Sequence, residues 1–147
     1  MGLFQSFKIS ATGMTAQRFR TDIIAENIAN VNTTSTEDGG PYRRKIVTFR
    51  EKDVTPFSQL FSASKDASVG NGVKVTSVTE DYSTDFIKEY DPSNPDADEN
   101  GYVSYPNVNT VTEMTDLIDA TRAYEANATA FEASKSLAAT GLAIGQS

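Results

Sequence analysis

The sequence predicts a mostly α fold with a small β insert: long N- and C-terminal helices packed as a coiled-coil-like pair, with short antiparallel strands between them. Residues 3–30 contain no proline and one internal glycine, with apolar residues spaced by threes and fours. Residues 111–144 repeat that rhythm in an alanine-rich background. Between them, Gly, Asn, Pro and Ser clusters separate stretches of alternating apolar and polar residues. The expected division is a discontinuous terminal-helix unit of residues 1–34 and 108–147, with residues 35–107 forming a loop and the β insert.

In the first helix, Phe4, Phe7, Ala11, Met14, Ala25 and Ile28 form the apolar stripe. Arg18 and Thr21 interrupt it, while Phe19, Ile23 and Ile24 widen it on one side. Val31 to Pro41, rich in Asn, Thr, Ser and Gly, reads as a loop. Tyr42 to Phe49 and Gly72 to Thr79 have strand composition, and Asp85 to Tyr90 could pair with the latter. Ser62 to Asn71 reads as a mobile connector. Asp91-Pro92-Ser93-Asn94-Pro95 and Asn100-Gly101 are turn chemistry, followed by a short strand at Tyr102 to Tyr105.

The second helix carries Met114, Leu117, Thr121, Tyr124, Ala128, Phe131, Ala138 and Leu142 on its stripe, with Lys135 as a break. Its alanines favour helix and permit close approach of another backbone. Asn109 or Thr110 can cap its start, with Glu113 completing a capping box from Thr110. Gly141 and Gly145 loosen its end. At about 1.5 Å per residue it spans roughly 50 Å.

Composition narrows the function classes. The chain of 147 residues is 38% hydrophobic, and no stretch approaches the roughly 20 apolar residues that cross a bilayer. The N-terminus lacks the basic-then-apolar order of a secretory signal, so export is expected to use another route. Met1-Gly2 with Ser6 matches a myristoylation pattern only loosely. Cys, His and Trp are absent, which removes disulfides, thiolate nucleophiles, imidazole proton shuttles and the usual zinc ligands. The net charge of −7 argues against nucleic acid as a partner. Arg43-Arg44-Lys45 reads as the solvated start of a strand rather than a phosphate site.

Other patterns carry little chemistry. Asp96-Ala97-Asp98-Glu99-Asn100-Gly101 matches the first half of a calcium loop, but Asn107 occupies the position of the bidentate glutamate. It reads as an acidic solvated turn. Carboxylate pairs such as Asp81 with Asp85, or Asp116 with Asp119, have the residue type for acid and base work at a glycosidic bond but no further signal. The Asn-X-Thr sites at Asn32 and Asn127 read as chance matches. No catalytic residue, cofactor or metal site is expected.

The terminal stripes need partners, because an isolated amphipathic helix in water is marginal. An intramolecular hairpin and an intermolecular polymer both satisfy the pattern. In the hairpin each helix buries one seam, and the flank of Phe19, Ile23 and Ile24 is expected to stay wet.

Glu26-Asn27-Ile28-Ala29-Asn30-Val31-Asn32-Thr33-Thr34 resembles the Asn-[Ile/Leu]-Ala-Asn-x-x-Thr signature of flagellar rod and hook axial proteins. Gly39-Gly40-Pro41-Tyr42-Arg43-Arg44-Lys45, Tyr90 to Asp98, Asn100-Gly101-Tyr102-Val103 and Pro106-Asn107-Val108-Asn109 narrow the resemblance to the proximal-rod protein C family. Glu113-Met114, Arg122-Ala123-Tyr124-Glu125-Ala126-Asn127 and Gly145-Gln146 extend it to the end of the chain. Thr33 to Asp38 replaces the Thr-x-Gly-Tyr ending typical of hook and distal-rod relatives.

The resemblance implies a structural subunit that leaves the cytoplasm unfolded through the flagellar type III export apparatus, without a cleavable signal peptide. It would assemble in the periplasmic rod with itself and other rod proteins, transmitting torque between the basal-body base and the distal rod. No nucleic acid, membrane insertion or small-molecule substrate is implied. The expected subunit-interface residues are Phe7, Met14, Ile24, Asn27, Ile28, Asn30, Leu117, Tyr124, Asn127, Phe131 and Leu142. The competing readings are an export chaperone or adaptor and a carbohydrate-cleaving enzyme of the cell wall.

Overall fold

The computed structural model describes residues 3–37, 39–52 and 70–145. Two long helices enclose four short strands in chain order: α1 (Leu3–Ala29), β1 (Lys45–Glu51), β2 (Val73–Glu80), β3 (Ile87–Tyr90), β4 (Tyr102–Tyr105) and α2 (Thr110–Ile144). The strands form two antiparallel pairs, β1 with β2 and β3 with β4. The expected fold class is thus the observed one. Of the expected connector, residues 62–69 lie outside the described part of the chain.

Where the elements differ from expectation, polar side chains are the reason. β1 starts at Lys45 rather than Tyr42 because the preceding residues are committed elsewhere. The Tyr42 amide donates to the Thr33 carbonyl (3.0 Å) and the Arg44 amide to Asn107 Oδ1 (2.8 Å). β3 pairs with β4 and not with β2, in the register Ile87 to Tyr105 and Tyr90 to Tyr102. The segment between β2 and β3 is held away from β2 by Asn107, whose Nδ2 donates to the carbonyls of Asp81 (3.0 Å) and Thr84 (3.2 Å). The Asp81 carboxylate folds the same segment, accepting from the Ser83 amide and from the hydroxyls of Ser83 and Thr84. Backbone satisfaction by side chains therefore decides which strands meet.

The chain divides into two compact units. The first comprises residues 1–19, 49–76 and 120–147. In it the segments of α1 and α2 run antiparallel: the Phe7 ring lies 5.0 Å from that of Phe131, and Gly13 faces Asn127. Ser10, Ala16 and Ala120 are buried there. A Cβ at Gly13 would stand 2.5 Å from Asn127 Oδ1, so any side chain there displaces the Asn127 amide from its bond to the Ala123 carbonyl. Thr12 ties α1 to the ribbon, donating to the Ile9 carbonyl (2.8 Å) and accepting from the Val73 amide (3.2 Å). Gly72, just before β2, adopts φ +91°, and a side chain there would collide with Thr12.

The second unit comprises residues 20–48 and 77–119. Its interior holds Ile24, Tyr42, Val103, Pro106 and Val108 together with the polar residues Asn27, Asp81, Asn107 and Glu113. Ile24, expected to lie on a wet flank, is only 5% exposed. The tight turns before β4 rest on aspartate and asparagine side chains. Asp98 Oδ1 accepts from the amides of Asn100 (2.8 Å) and Tyr102 (2.9 Å), and Asp91 Oδ1 from that of Ser93 (3.1 Å). Gly101 takes φ +80° at the point where the Tyr90 ring closes over it.

α2 begins as expected with Asn109, whose Oδ1 accepts from the amides of Val111 (3.0 Å) and Thr112 (3.2 Å). The Glu113 carboxylate does not close a capping box. It points inward to Asn27 and Arg44.

Replacing Gly13 by Val is expected to destabilise the first unit by about 2 kcal/mol, because overpacking at the helix crossing outweighs the gain in helix propensity over glycine. Thermal denaturation followed by circular dichroism measures the effect; an unchanged or raised midpoint would show that the close approach to Asn127 is not a constraint.

Candidate assembly surfaces and the polar lock

The second unit is organised around Asn27, which is 1% exposed on α1. Its Nδ2 donates to the Lys45 carbonyl (2.9 Å) and to Glu113 Oε2 (3.1 Å), while its Oδ1 accepts from the Lys45 amide (2.9 Å) and the Tyr42 hydroxyl (2.9 Å). One side chain thereby joins α1, the entry to β1 and α2. Both donor protons and both acceptor lone pairs of the amide are used. Glu113, also 1% exposed, is further held by Arg44 Nε, and Arg44 reaches Asp116 Oδ2 at 3.6 Å. Arg20 Nη2 bonds Asp116 Oδ1 at 3.4 Å. The ionised groups are paired and hydrogen-bonded, the condition under which buried charge is tolerated.

Asn30, one helical turn on, serves the end of α1. Its Nδ2 donates to the Glu26 carbonyl (2.9 Å) and its Oδ1 accepts from the Thr33 hydroxyl (3.1 Å). The Asn27, Asn30 and Thr33 positions of the signature therefore have distinct tasks. The first bolts three segments together, and the other two close the helix end.

Arg43-Arg44-Lys45 is not a solvated strand start. The Arg43 guanidinium sits between the rings of Tyr82 (4.4 Å) and Phe86 (4.1 Å) and donates to the Asp81 carbonyl (2.8 Å). Lys45 pairs with Glu26. Burial, followed by the nearby carboxylates of Glu26, Glu113 and Glu80, holds the Tyr42 hydroxyl well above the usual tyrosine range. Hydrogen bonds from Ser83 and Thr84 hold Asp81 below its ordinary value of 3.8, and the Tyr102 and Asn100 amides do the same for Asp98.

The expected interface residues fall into three groups. Ile24 and Asn27 are buried within the second unit. Phe7, Met14, Ile28, Asn30, Leu117, Asn127 and Phe131 are half-buried. Phe7 and Phe131 meet each other, and Asn127 bonds the Ala123 carbonyl at 2.7 Å. Tyr124 and Leu142 are 40% and 70% exposed.

The residues that face inward on α2 are Thr110, Glu113, Asp116, Leu117, Ala120, Ala123, Asn127, Ala128, Phe131, Ser134 and Ala138, so Leu117, Ala128, Phe131 and Ala138 of the apolar stripe lie on this seam while Met114, Thr121, Tyr124 and Leu142 lie off it. Large apolar side chains consequently point out. In the second unit, Val111 (75% exposed), Met114 (52%) and Ile118 (53%) lie on one face of α2. In the first, Leu137 (72%) and Ile144 (72%), seven residues apart, share another. Such faces are the candidate interaction surfaces of the chain.

Comparison with known proteins now assigns the chain. Residues 7–35 match the family described as flagella basal body rod protein, and residues 99–144 the one described as flagellar basal body rod FlgEFG protein C-terminal. The flagellar basal-body rod protein FlgC of Borreliella burgdorferi is 47% identical over 150 residues, covering 98% of both chains. The chain belongs to the FlgC family. FlgC of Bacillus subtilis is 44% identical (99% of this chain, 100% of the relative), and FlgC of Escherichia coli O6:H1 is 38% identical with the same coverage. Within this FlgC-family chain, the matched N-terminal region carries Asn27 and Asn30, and the matched C-terminal region carries Asn107, Asn109 and Glu113.

The partners of Asn27 were not legible from spacing, since Glu113 lies 86 positions away. Tyr42, Arg44, Asn107 and Glu113 all stand in the motifs that carried the resemblance, but the local readings of Arg44 as solvated and of Glu113 as a capping residue missed their part in this network.

Glu113→Ala is expected to cost about 2–3 kcal/mol, because it leaves one buried Asn27 donor without its acceptor and removes the nearest carboxylate from Arg44, which keeps Asp116 and Asp81. Tyr42→Phe should cost about 1 kcal/mol, the worth of one hydrogen bond to Asn27. Denaturant titration checks both; equal losses would contradict the central place given to Glu113. Because the folded Tyr42 value lies above the unfolded 10.0, its contribution is complete below pH 10 and declines as pH rises beyond it. The depressed Asp81 and Asp98 act oppositely, giving stability that is lost as pH falls below 3.8. Chemical unfolding measured against pH should show both shoulders.

Proposed function

We propose that this chain is a structural subunit of the proximal part of the bacterial flagellar rod, built into a helical assembly by its terminal helices and carrying torque between the basal-body base and the distal rod. Full-length similarity to FlgC proteins is the observation that carries this reading. The outward apolar faces of α2 agree with it, because an assembly gives them a partner that one copy lacks. A contact between two different surfaces that does not close on itself generates a filament, and many repeated contacts make the filament stiff.

In this reading residues 1–34 and 108–147 form the rod core and residues 35–107 lie outside it. The half-buried and exposed members of the expected interface set, with Val111, Met114 and Ile118, make the contacts between subunits. Asn27 and Ile24 support that surface from within. The subunit catalyses nothing and is exported by the flagellar type III system. No observation favours the export-chaperone alternative.

Replacing Met114 and Ile118 together by Asp should abolish motility and remove the protein from isolated basal bodies, while the purified variant keeps its helix content, since both side chains are already exposed. Swimming cells with normal amounts of the variant in basal bodies would refute a role for this face in assembly.

A further inference from the structure

The two units carry opposite charge. Residues of the first unit include eight Lys/Arg and five Asp/Glu, a balance of +3, in a protein whose total is −7. The second has five Lys/Arg and fifteen Asp/Glu, a balance of −10. Four of the second unit's cations are spent internally: Arg20 on Asp116, Arg44 on Glu113, Lys45 on Glu26, and Arg43 between two rings. Its fifth, Lys88, stands alone among eleven acids in residues 77–119.

The surplus negative charge is concentrated on the turn joining β3 to β4. Asp96, Asp98 and Glu99 are exposed there, as are Pro92 and Pro95. The turn is rigidly built by the amide bonds to Asp91, Asn94 and Asp98 and by the hydrogen bond from Thr34 to Asp96. It presents carboxylates and small apolar surface in a fixed shape, with little ordering cost on binding.

The first unit holds a complementary feature. A groove of about 320 Å³ between α1 and β2 has Ala11, Ala16, Val73 and Val75 as its apolar lining and Lys8, Lys52 and Lys74 as its charged residues. Lys8 and Lys52 are exposed. Three lysines around an apolar floor suit an acidic loop with proline and alanine between its carboxylates.

We propose that the β3–β4 turn of one copy docks into the lysine groove of a second copy. The proposal rests on the rod-subunit reading and deepens it, by naming a contact between subunits outside the helix stripes. Groove and turn are different surfaces, so a bound pair still offers one of each, and the contact propagates wherever its rotation does not close a ring. Its electrostatic part orients incoming subunits and weakens with salt.

The absence of cysteine from the natural chain makes the contact testable by disulfide capture. Two differently tagged full-length variants, Lys52→Cys and Glu99→Cys, are expressed together, and basal bodies are isolated and oxidised. A mixed disulfide dimer carrying both tags is expected, with neither variant alone giving a dimer. Adding Lys8→Glu and Lys74→Glu to the Lys52→Cys copy should lower its yield at least fivefold. If both variants are present in basal bodies and no mixed dimer forms, or if the lysine reversals leave its yield unchanged, the docking is wrong while the rod-subunit reading stands. If neither variant nor the natural protein is found in basal bodies, the rod reading falls and the proposal falls with it.

Discussion

The fully used amide of Asn27 is the interaction on which the second unit depends. An asparagine buried on a helix is costly unless each of its hydrogen-bonding positions finds a partner. Here the partners are the Tyr42 hydroxyl and the Lys45 backbone at the entry to β1 and the Glu113 carboxylate on α2, two segments distant in sequence from each other. Satisfying one residue therefore fixes where the loop after α1 turns, where β1 begins and which rotation of α2 faces inward. Glu113 is drawn away from its own helix N-terminus by this demand, leaving Asn109 to cap alone.

That rotation has a consequence for assembly. With Glu113, Asp116 and Ala120 turned inward, the neighbouring Val111, Met114 and Ile118 are turned out. A simple apolar hairpin would have buried the large side chains and exposed the small and polar ones. The arrangement instead places polar pairs and small residues on the internal seam beside Leu117 and Phe131, and leaves Val111, Met114 and Ile118 exposed. In the first unit Gly13 and Asn127 play the same part, with a close crossing based on a missing side chain rather than on a large one. Specificity of register follows, because a polar seam tolerates few alternatives.

The fold class, the two helices, the four strand positions to within a few residues and the Asn109 cap were legible because each is a local property: spacing, turn chemistry and propensity act over a few residues. The pairing of β3 with β4 was not, since Asn107 decides it from beyond both strands. Nor was the fate of Arg44, whose ion pair with Glu113 spans 69 positions. A stripe of apolar residues indicated that each helix needs neighbours, yet only half of the α2 stripe lies on the internal seam.

What the sequence determined alone was therefore the list of elements and the kinship, which identities of 38% to 47% to FlgC proteins over nearly the whole chain bear out. Tertiary structure decided which of those motif residues bear on one another and which face of α2 is left to solvent. The reason is physical: helix periodicity sets how many apolar residues share a face, but the burial of Asn27 and Glu113, whose hydrogen bonds must be completed across distant segments, sets which face turns inward.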